Sequence, residues 1–388
     1  MKIVYFIPHL HESSGINRVL SIKANYMVDI LNYEVTIITY RQYESSIFFP
    51  YSSKVKFIHL NLDDPTFRLK SLSFFERRKS LKKFMRSYKD LVEKFLYKNQ
   101  VDICISTVLG AEYKFLYKIK DKSKKILEFH LNFENSPLNI LTQPFKISRI
   151  KSVLQIKNLQ YKMSQYKRIV VLSNGDAETW KIFFSNIIVI GNPLTIDLNF
   201  PKALLTNKTA IAVGRLEKEK GFDLLIDAWK IVKEKHPEWI LNIFGEGSLH
   251  DSIRKQIDDL NLADNIILKK PVSNIAEKYI ESSIFILSSR NEGFGLVLLE
   301  ALALGIPAVS FNCKFGPEEL IEDSQNGFLV ELGNTEILAK KIITLIENEN
   351  VRKKFSERAL ITTKKYEISN IMMKWDELFQ SLVNKTEA

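Results

Sequence analysis

The segment Ser288-Ser289-Arg290-Asn291-Glu292-Gly293-Phe294-Gly295-Leu296-Val297-Leu298-Leu299-Glu300 decides how this chain is read. It follows a short apolar run, Ile284–Leu287, and opens a helical stretch, Leu296–Leu304, that stops at Gly305 with Pro307 beyond. A loop that leads from a strand into a helix lies at the carboxyl end of that strand, where open α/β sheets bind ligands. Amides of Phe294, Gly295 and Leu296 at the helix start would face an anion, with the positive end of the helix dipole behind them, so a phosphate is the natural guest. Glu300 lies within two turns of the helix start and can accept hydrogen bonds from vicinal ribose hydroxyls. Glu292, in the loop, faces the reacting end. Taken singly, Glu300 reads as a solvated helix residue and Glu292 as a helix-start carboxylate favoured by the dipole; the whole segment favours a site.

Two further loops have the same placement. Gly214-Arg215-Leu216-Glu217-Lys218-Glu219-Lys220-Gly221 follows the run Ala210–Val213. Arg215 and Lys220 can converge there on a diphosphate, the first as a bidentate fork and the second as a point charge, although ion pairing with Glu217 and Glu219 would also account for them. Gly245-Glu246-Gly247 after Ile240–Phe244 is a weak signal alone. As the third such loop on a strand end it adds weight.

Around these loops the chain alternates strand and helix throughout. In the first half, Ile3–Ile7, Val35–Thr39, Lys56–Leu60, Val101–Ser106, Lys125–Phe129, Ile169–Leu172 and Ile187–Ile190 read as strands, with a helix over Asn17–Leu31. In the second, Ala210–Val213, Ile240–Phe244, Ile266–Leu268, Ile284–Leu287, Ala308–Phe311 and Gly327–Val330 alternate with helices such as Gly221–Glu234. Near-continuous apolar strands separated by helices predict parallel sheets covered on both faces. At 388 residues the chain is long enough for two domains. The expected division is an N-terminal domain over residues 1–193, a linker over 194–208, a C-terminal domain over 209–369 and an amphipathic helix in 370–388.

Composition narrows the setting. The chain is 45% apolar and 26% charged, which excludes disordered, collagen-like and coiled-coil classes. Cys104 and Cys313 are the only cysteines, both in apolar stretches, so a disulfide framework and a cysteine zinc site are excluded and a cytoplasmic setting is expected. After Met1-Lys2 only five apolar residues follow, Ile3 to Ile7, too few for a signal-peptide core, and no run reaches the ~18 apolar residues of a spanning helix.

The loop residues together carry a family resemblance. Gly214-Arg215-Leu216 with Lys220-Gly221, Phe244 to Gly247, the two glutamates Glu292 and Glu300 with seven residues between them, and Gly316-Pro317-Glu318-Glu319-Leu320-Ile321 followed by Asn326-Gly327-Phe328 resemble glycosyltransferase family 4. The match spans residues 210–330 in order. It is looser in the first half, through Gly15-Ile16-Asn17-Arg18-Val19, Ser173-Asn174 and Asn192-Pro193, and departs from the family at Ser14, where many members have a second glycine.

The resemblance implies a GT-B architecture, two Rossmann-like domains whose parallel sheets face a cleft, with the C-terminal helix returning to the N-terminal domain. It implies a retaining transfer from a nucleotide sugar. By that analogy Arg215, Lys220 and the amides of Phe294, Gly295 and Leu296 bind the donor diphosphate, joined by Gly15 from the other domain. Glu300 holds the ribose, Pro271 and Val272 lie against the base, and His130 and Glu292 are the catalytic candidates at the sugar. Charge on the departing diphosphate would be met by Arg215, Lys220 and the helix start. The chain has no Asp-x-Asp sequence, so no metal and no cofactor is expected. A double displacement on an enzyme carboxylate and a same-face attack with the leaving phosphate as base both fit these residues.

Charge separates the halves. Residues 1–200 hold 31 basic against 17 acidic side chains, and residues 201–388 hold 25 against 28, so the halves carry +14 and −3. Eleven basic residues fall in 68–98 (Arg68, Lys70, Arg77, Arg78, Lys79, Lys82, Lys83, Arg86, Lys89, Lys94 and Lys98), interleaved with Phe74, Phe75, Phe84, Tyr88, Phe95 and Tyr97, and seven more fall between Lys146 and Arg168. Basic helices with aromatic faces read as segments drawn to an anionic membrane surface, or as grooves for a lipid-linked diphosphate. No nucleic-acid recognition motif accompanies them, so nucleic acid is not an expected partner.

The expected function is therefore transfer of a hexosyl or N-acetylhexosaminyl unit, from a donor expected to be UDP-linked, to a lipid-linked or surface-polysaccharide glycan at the inner face of the cell membrane. A silent GT-B scaffold subunit would have lost the donor-site residues that are present here. A nucleotide-sugar epimerase is disfavoured by the motif set from Gly214 to Glu300.

Overall fold

The computed structural model describes residues 1–66, 73–107, 110–136, 138–139, 150–272 and 274–384. The chain forms two compact units, the first from residues 1–172, 176–193 and 368–388 and the second from residues 173–175 and 194–367. Residues 194–208, read above as a linker, are part of the second unit.

The first unit is built on strands β1 (Lys2–Ile7), β2 (Glu34–Thr39), β3 (Lys56–His59), β4 (Ile103–Thr107), β5 (Lys124–Glu128), β6 (Arg168–Val171) and β7 (Ile187–Val189). They form one parallel sheet in the order β3-β2-β1-β4-β5-β6-β7. Five of the six residues of β1 are buried, as a strand covered on both faces requires. Helix α1 (Gly15–Asp29) starts on the Ser14 side chain, which accepts from the Asn17 amide. The long helix α2 (Phe74–Asn99) opens on a capping box of Ser73 and Glu76 and buries Phe84, Tyr88, Val92 and Leu96, a stripe repeating every fourth residue. That stripe separates the interleaved aromatics of α2 into core residues and an exposed set, Phe74, Phe75 and Tyr97. Arg77, Arg78, Lys82 and Lys83 are exposed with them. Arg68, Lys70, Lys146 and Arg149 lie outside the described residues.

Helices α3 (Ile150–Ser164) and α4 (Asn174–Lys181) follow in sequence. In the second unit come strands β8 (Thr209–Val213), β9 (Ile240–Phe244), β10 (Ile266–Lys269), β11 (Ile284–Leu287), β12 (Ala308–Phe311) and β13 (Gly327–Val330). They too are parallel, in the order β10-β9-β8-β11-β12-β13. Between them run α5 (Phe222–Lys235), α6 (His250–Asp259), α7 (Ile275–Ile280), α8 (Leu296–Ala303) and α9 (Pro317–Leu320), followed by α10 (Thr335–Glu347) and α11 (Glu349–Thr362). Each sheet reverses its direction of winding at one place, beside β1 in the first unit and between β8 and β11 in the second. Such a switch point leaves the loops after its two strands diverging around an open crevice.

The last helix, α12 (Ile368–Val383), belongs to the first unit. It buries Ile371, Met372, Trp375, Leu378, Phe379 and Leu382, spaced as one helical face, and packs on α1. Among the described residues no helix is long and apolar enough to cross a membrane.

The first unit also encloses an acid. Glu112 is fully buried and accepts hydrogen bonds from Ser106 Oγ at 2.6 Å and Tyr88 Oη at 3.1 Å. Burial pushes its carboxyl up to about 7 against the pull of those donors. An acid raised in the folded state is protonated there while the unfolded chain has already released its proton, so stability declines as pH rises from about 4.5 to about 7. Glu112→Gln is expected to flatten that decline, measured as the difference in Tm between about pH 4.5 and about pH 7.5 against wild type; an unchanged difference would show that Glu112 does not titrate in this window.

Candidate functional site

The switch point of the second sheet carries the residues singled out in the sequence. The loop after β8 and the loop after β11 are joined through their backbones. Ser288 Oγ donates to the Lys220 carbonyl at 2.9 Å, and the Arg290 amide donates to the Glu219 carbonyl at 2.7 Å. Gly221 makes the approach possible: its φ is 62°, and a Cβ there would lie 2.1 Å from the Ser288 carbonyl oxygen. The Arg290 guanidinium grips Asp223 at the start of α5 through two bonds, at 2.7 and 2.6 Å, and also reaches the Lys218 carbonyl at 2.9 Å. Its hydrogen bonds and charge hold the Asp223 carboxyl below the usual range.

Within this frame Lys220 Nζ lies 2.7 Å from Glu292 Oε1, and Ser289 Oγ donates to the same oxygen at 2.6 Å. The glutamate is 8% exposed and the lysine 18%, so the pair is largely out of water. Arg215 is more open, 73% exposed, and pairs with Glu219 at 2.7 Å. The fold thus brings Arg215, Lys220 and Glu292 to one sheet edge, with both basic side chains already paired to carboxylates.

Helix α8 begins beside them. Gly295 takes the left-handed conformation, φ 90°, immediately before Leu296, and no side chain caps the helix start. An anion placed there would be met by first-turn amides and the helix dipole. Phe294 is buried and packs edge-on against Tyr366 at 5.5 Å, which fixes the loop entering the helix.

Glu300 points elsewhere than a solvated helix residue would. It is 2% exposed, and its two oxygens accept from the hydroxyls of Thr195 and of Tyr279, the latter at 3.2 Å. Pro271 and Val272 follow β10, the outermost strand, two strands from β8, and both are exposed. The glycine loop after β9 is tied to the first loop by the Leu216 amide, which donates to the Glu246 carbonyl at 2.9 Å.

Gly15 and His130 belong to the first unit. Gly15 opens α1 behind the Ser14 cap. In the loop before it the His9 and His11 rings stack at 4.2 Å, and Glu12 Oε1 lies 3.4 Å from His9 Nε2. Burial lowers the His9 pKa. His130 follows β5 and places Nε2 at 3.3 Å from Glu128 Oε1, an oxygen that Lys23 Nζ also reaches at 2.6 Å.

Several participants carried no signal of their own in the sequence. Ser288 and Ser289 stand in the quoted segment with no motif to assign them. Thr195 and Tyr279 lie far from Glu300 in the chain and reach it only through the fold. Lys23 had a detectable mark, a lysine on the face of α1 that otherwise carries Leu20, Ala24 and Met27.

Two Rossmann-like parallel-sheet domains with this edge define a GT-B fold, and solved structures of that class superpose on nearly the whole chain. One of them, a single-residue variant of Staphylococcus aureus TarM in complex with fondaparinux, alpha-GlcNAc-glycerol and UDP, gives a TM-score of 0.74 at 19% identity, covering 97% of this chain and 99% of that one. Residues 197–361, which include the motif-bearing stretch, match the family model described as glycosyl transferases group 1. Similar proteins include the poly(ribitol-phosphate) alpha-N-acetylglucosaminyltransferase of Staphylococcus aureus, 33% identical over 56% of this chain and 43% of its own length. The amylovoran biosynthesis glycosyltransferase AmsD of Erwinia amylovora is 27% identical over 97% of this chain and 99% of its own. The chain spans only 20–60% of the length of the curated relatives that it matches at 33–35% identity.

The joined loops give a test of the frame. Gly221→Ala would force both a positive φ and a clash with the Ser288 carbonyl, so a loss of about 2–4 kcal/mol in stability is expected in urea denaturation. A wild-type midpoint in that variant would show that the two loops are not held at this spacing.

Proposed function

We propose that this protein is a retaining, metal-independent glycosyltransferase that moves a hexosyl or N-acetylhexosaminyl unit from a UDP-linked sugar to a lipid-linked or surface glycan. The observation that carries the reading is the Lys220–Glu292–Ser289 group beside the uncapped, glycine-initiated start of α8, at the switch point of the second sheet. It offers one ammonium, one carboxylate and a ring of amides to a ligand that is anionic at one end and hydroxylated at the other. The UDP bound in the TarM structure and the N-acetylglucosaminyl transfer named for the Staphylococcus aureus relative support the donor class.

In this reading Arg215, Lys220 and the amides of Phe294, Gly295 and Leu296 take the donor diphosphate. The diphosphate competes with Glu292 for Lys220, and the released carboxylate turns to the sugar. Ribose hydroxyls replace the Thr195 hydroxyl on Glu300, while Pro271 and Val272 lie against the base. Gly15 lends its amide to the diphosphate and His130 serves the transfer step. Over the transfer the bond from the anomeric carbon to the diphosphate oxygen breaks, a bond to the acceptor oxygen forms, and the diphosphate departs with the electron pair of the broken bond and takes up the acceptor hydroxyl's proton.

The first unit is assigned the acceptor. Exposed Phe74, Phe75 and Tyr97 on α2, among Arg77, Arg78, Lys82 and Lys83, suit an anionic lipid surface, and exposed Leu154 and Tyr161 on α3 have the same character. The proposed location is the cytoplasmic face of the cell membrane.

A thermal-shift panel of UDP, GDP, ADP and their sugar conjugates tests the donor, since a ligand at about 100 times its Kd adds ~2.7 kcal/mol. The expected result is a shift with UDP and UDP-sugars that survives EDTA; no shift with any of them would sink the enzyme reading. Glu300→Ala is expected to weaken UDP-sugar binding about tenfold or more, and Glu292→Ala to slow transfer with less effect on binding. For the membrane, the variant replacing Arg77, Arg78, Lys82 and Lys83 by Gln is expected to lose binding to phosphatidylglycerol vesicles while keeping its UDP affinity. Equal vesicle binding by that variant and wild type would remove the membrane from the proposal.

A further inference from the structure

The first unit buries a cation that the donor chemistry does not use. Lys23, on α1, is 1% exposed. Its Nζ lies 3.8 Å from the centroid of the Trp375 ring on α12, and 2.6 Å from Glu128 Oε1 at the end of β5. The same carboxylate oxygen is 3.3 Å from His130 Nε2. Trp375 is 1% and Glu128 3% exposed, so the line from the helix to the histidine is closed to water. The Tyr5 ring of β1 stands 5.4 Å from Lys23 Nζ as a second aromatic wall.

The charges in this line are ordered. Burial alone would raise the Glu128 carboxyl, but Lys23 and His130 together bring it down to about 2, so it is an anion throughout the neutral range. A buried ammonium and carboxylate are commonly no more stabilising than apolar side chains of the same shape, because both must be taken out of water. What the pair does here, and apolar substitutes would not, is hold a charged oxygen at a fixed place beside His130. The ring of Trp375 supplies the other side of the ammonium, whose several donors meet the carboxylate on one side and the π-face on the other.

We propose that α12 positions His130 through Trp375, Lys23 and Glu128, so that the last helix of the chain sets the orientation of the histidine used in transfer. This rests on the role given to His130 above. Trp375, Lys23 and Glu128 are positioning residues; none of them is assigned a contact with substrate. The arrangement gives α12 a purpose beyond covering α1, since its withdrawal would free Lys23, then Glu128, then the imidazole.

The test uses the full chain with ¹³C-histidine labelling. Wild type holds 6 histidines, and the ring signal missing in His130→Ala identifies His130. Trp375→Leu and the double variant Lys23→Met/Glu128→Gln are expected to move that signal, while Trp375→Phe, which keeps a ring face over the ammonium, is expected to leave it near the wild-type position. Turnover is then measured with the nucleotide sugar that gives the largest thermal shift. Trp375→Leu and the double variant are expected to lower kcat about tenfold or more with little change in donor KM, and Trp375→Phe to restore most of the loss.

The double variant separates positioning from structure, because it removes both buried charges and is expected to regain the Tm that Lys23→Met alone loses. Recovery of kcat along with Tm would overturn the proposal, as would an unmoved His130 signal in the double variant. If the signal moves as expected but His130→Ala turns over like wild type, the positioning line stands and the role of His130 in transfer falls.

Discussion

The second unit depends on one close approach, the passage of the loop after β8 beneath the loop after β11. Gly221 carries no side chain at the point where a Cβ would meet the Ser288 carbonyl at 2.1 Å. Because the backbones touch there, Lys220 arrives within an ion pair of Glu292 and its carbonyl receives the Ser288 hydroxyl. Arg290 then closes the frame on Asp223 from the other side. Remove the approach and the lysine and glutamate become two surface charges on separate loops, each weakly paired and fully hydrated.

Parallel topology explains why this approach occurs where it does. The sheet reverses its winding between β8 and β11, so the loops after these two adjacent strands lie side by side, and the last residues of the first, Lys218 to Gly221, meet the first residues of the second, Ser288 to Arg290. The contact therefore ties the start of α5 to the end of β11. Glu300 shows the opposite arrangement. It lies further along α8, closed off by the hydroxyls of Thr195 and Tyr279, both neutral donors. Such donors satisfy a buried carboxylate and can be exchanged for the hydroxyls of a ligand with little change in charge.

Much of this is legible in the sequence. The strands read out cleanly because a parallel strand covered on both faces is an unbroken apolar run, as in Ile3 to Ile7 and Ile284 to Leu287, where every residue is buried. The loops read out because glycines flank bases and carboxylates at strand ends. Boundaries moved by a residue or two, since hydrogen bonding continues past the apolar run; β4 ends at Thr107 rather than Ser106. The aromatics of α2 were less legible. Phe84 and Tyr88 stand at core positions and Phe74 and Phe75 at the exposed start, and composition alone merges them.

What the sequence did not show is long-range pairing between polar residues. Lys23 and Glu128 are separated by 105 positions, and Trp375 lies on a helix from the far end of the chain. Each taken alone has an ordinary local reading: a helix lysine, a strand-end glutamate, a core tryptophan. Their joint placement follows from tertiary packing, because α12 lays one apolar face on α1 and carries its indole over the Lys23 ammonium. Local propensity cannot specify such a contact. An apolar residue at position 23 would pack as well and would leave the carboxylate beside His130 without its ammonium, so the lysine is where packing and chemistry make different demands on the same helix.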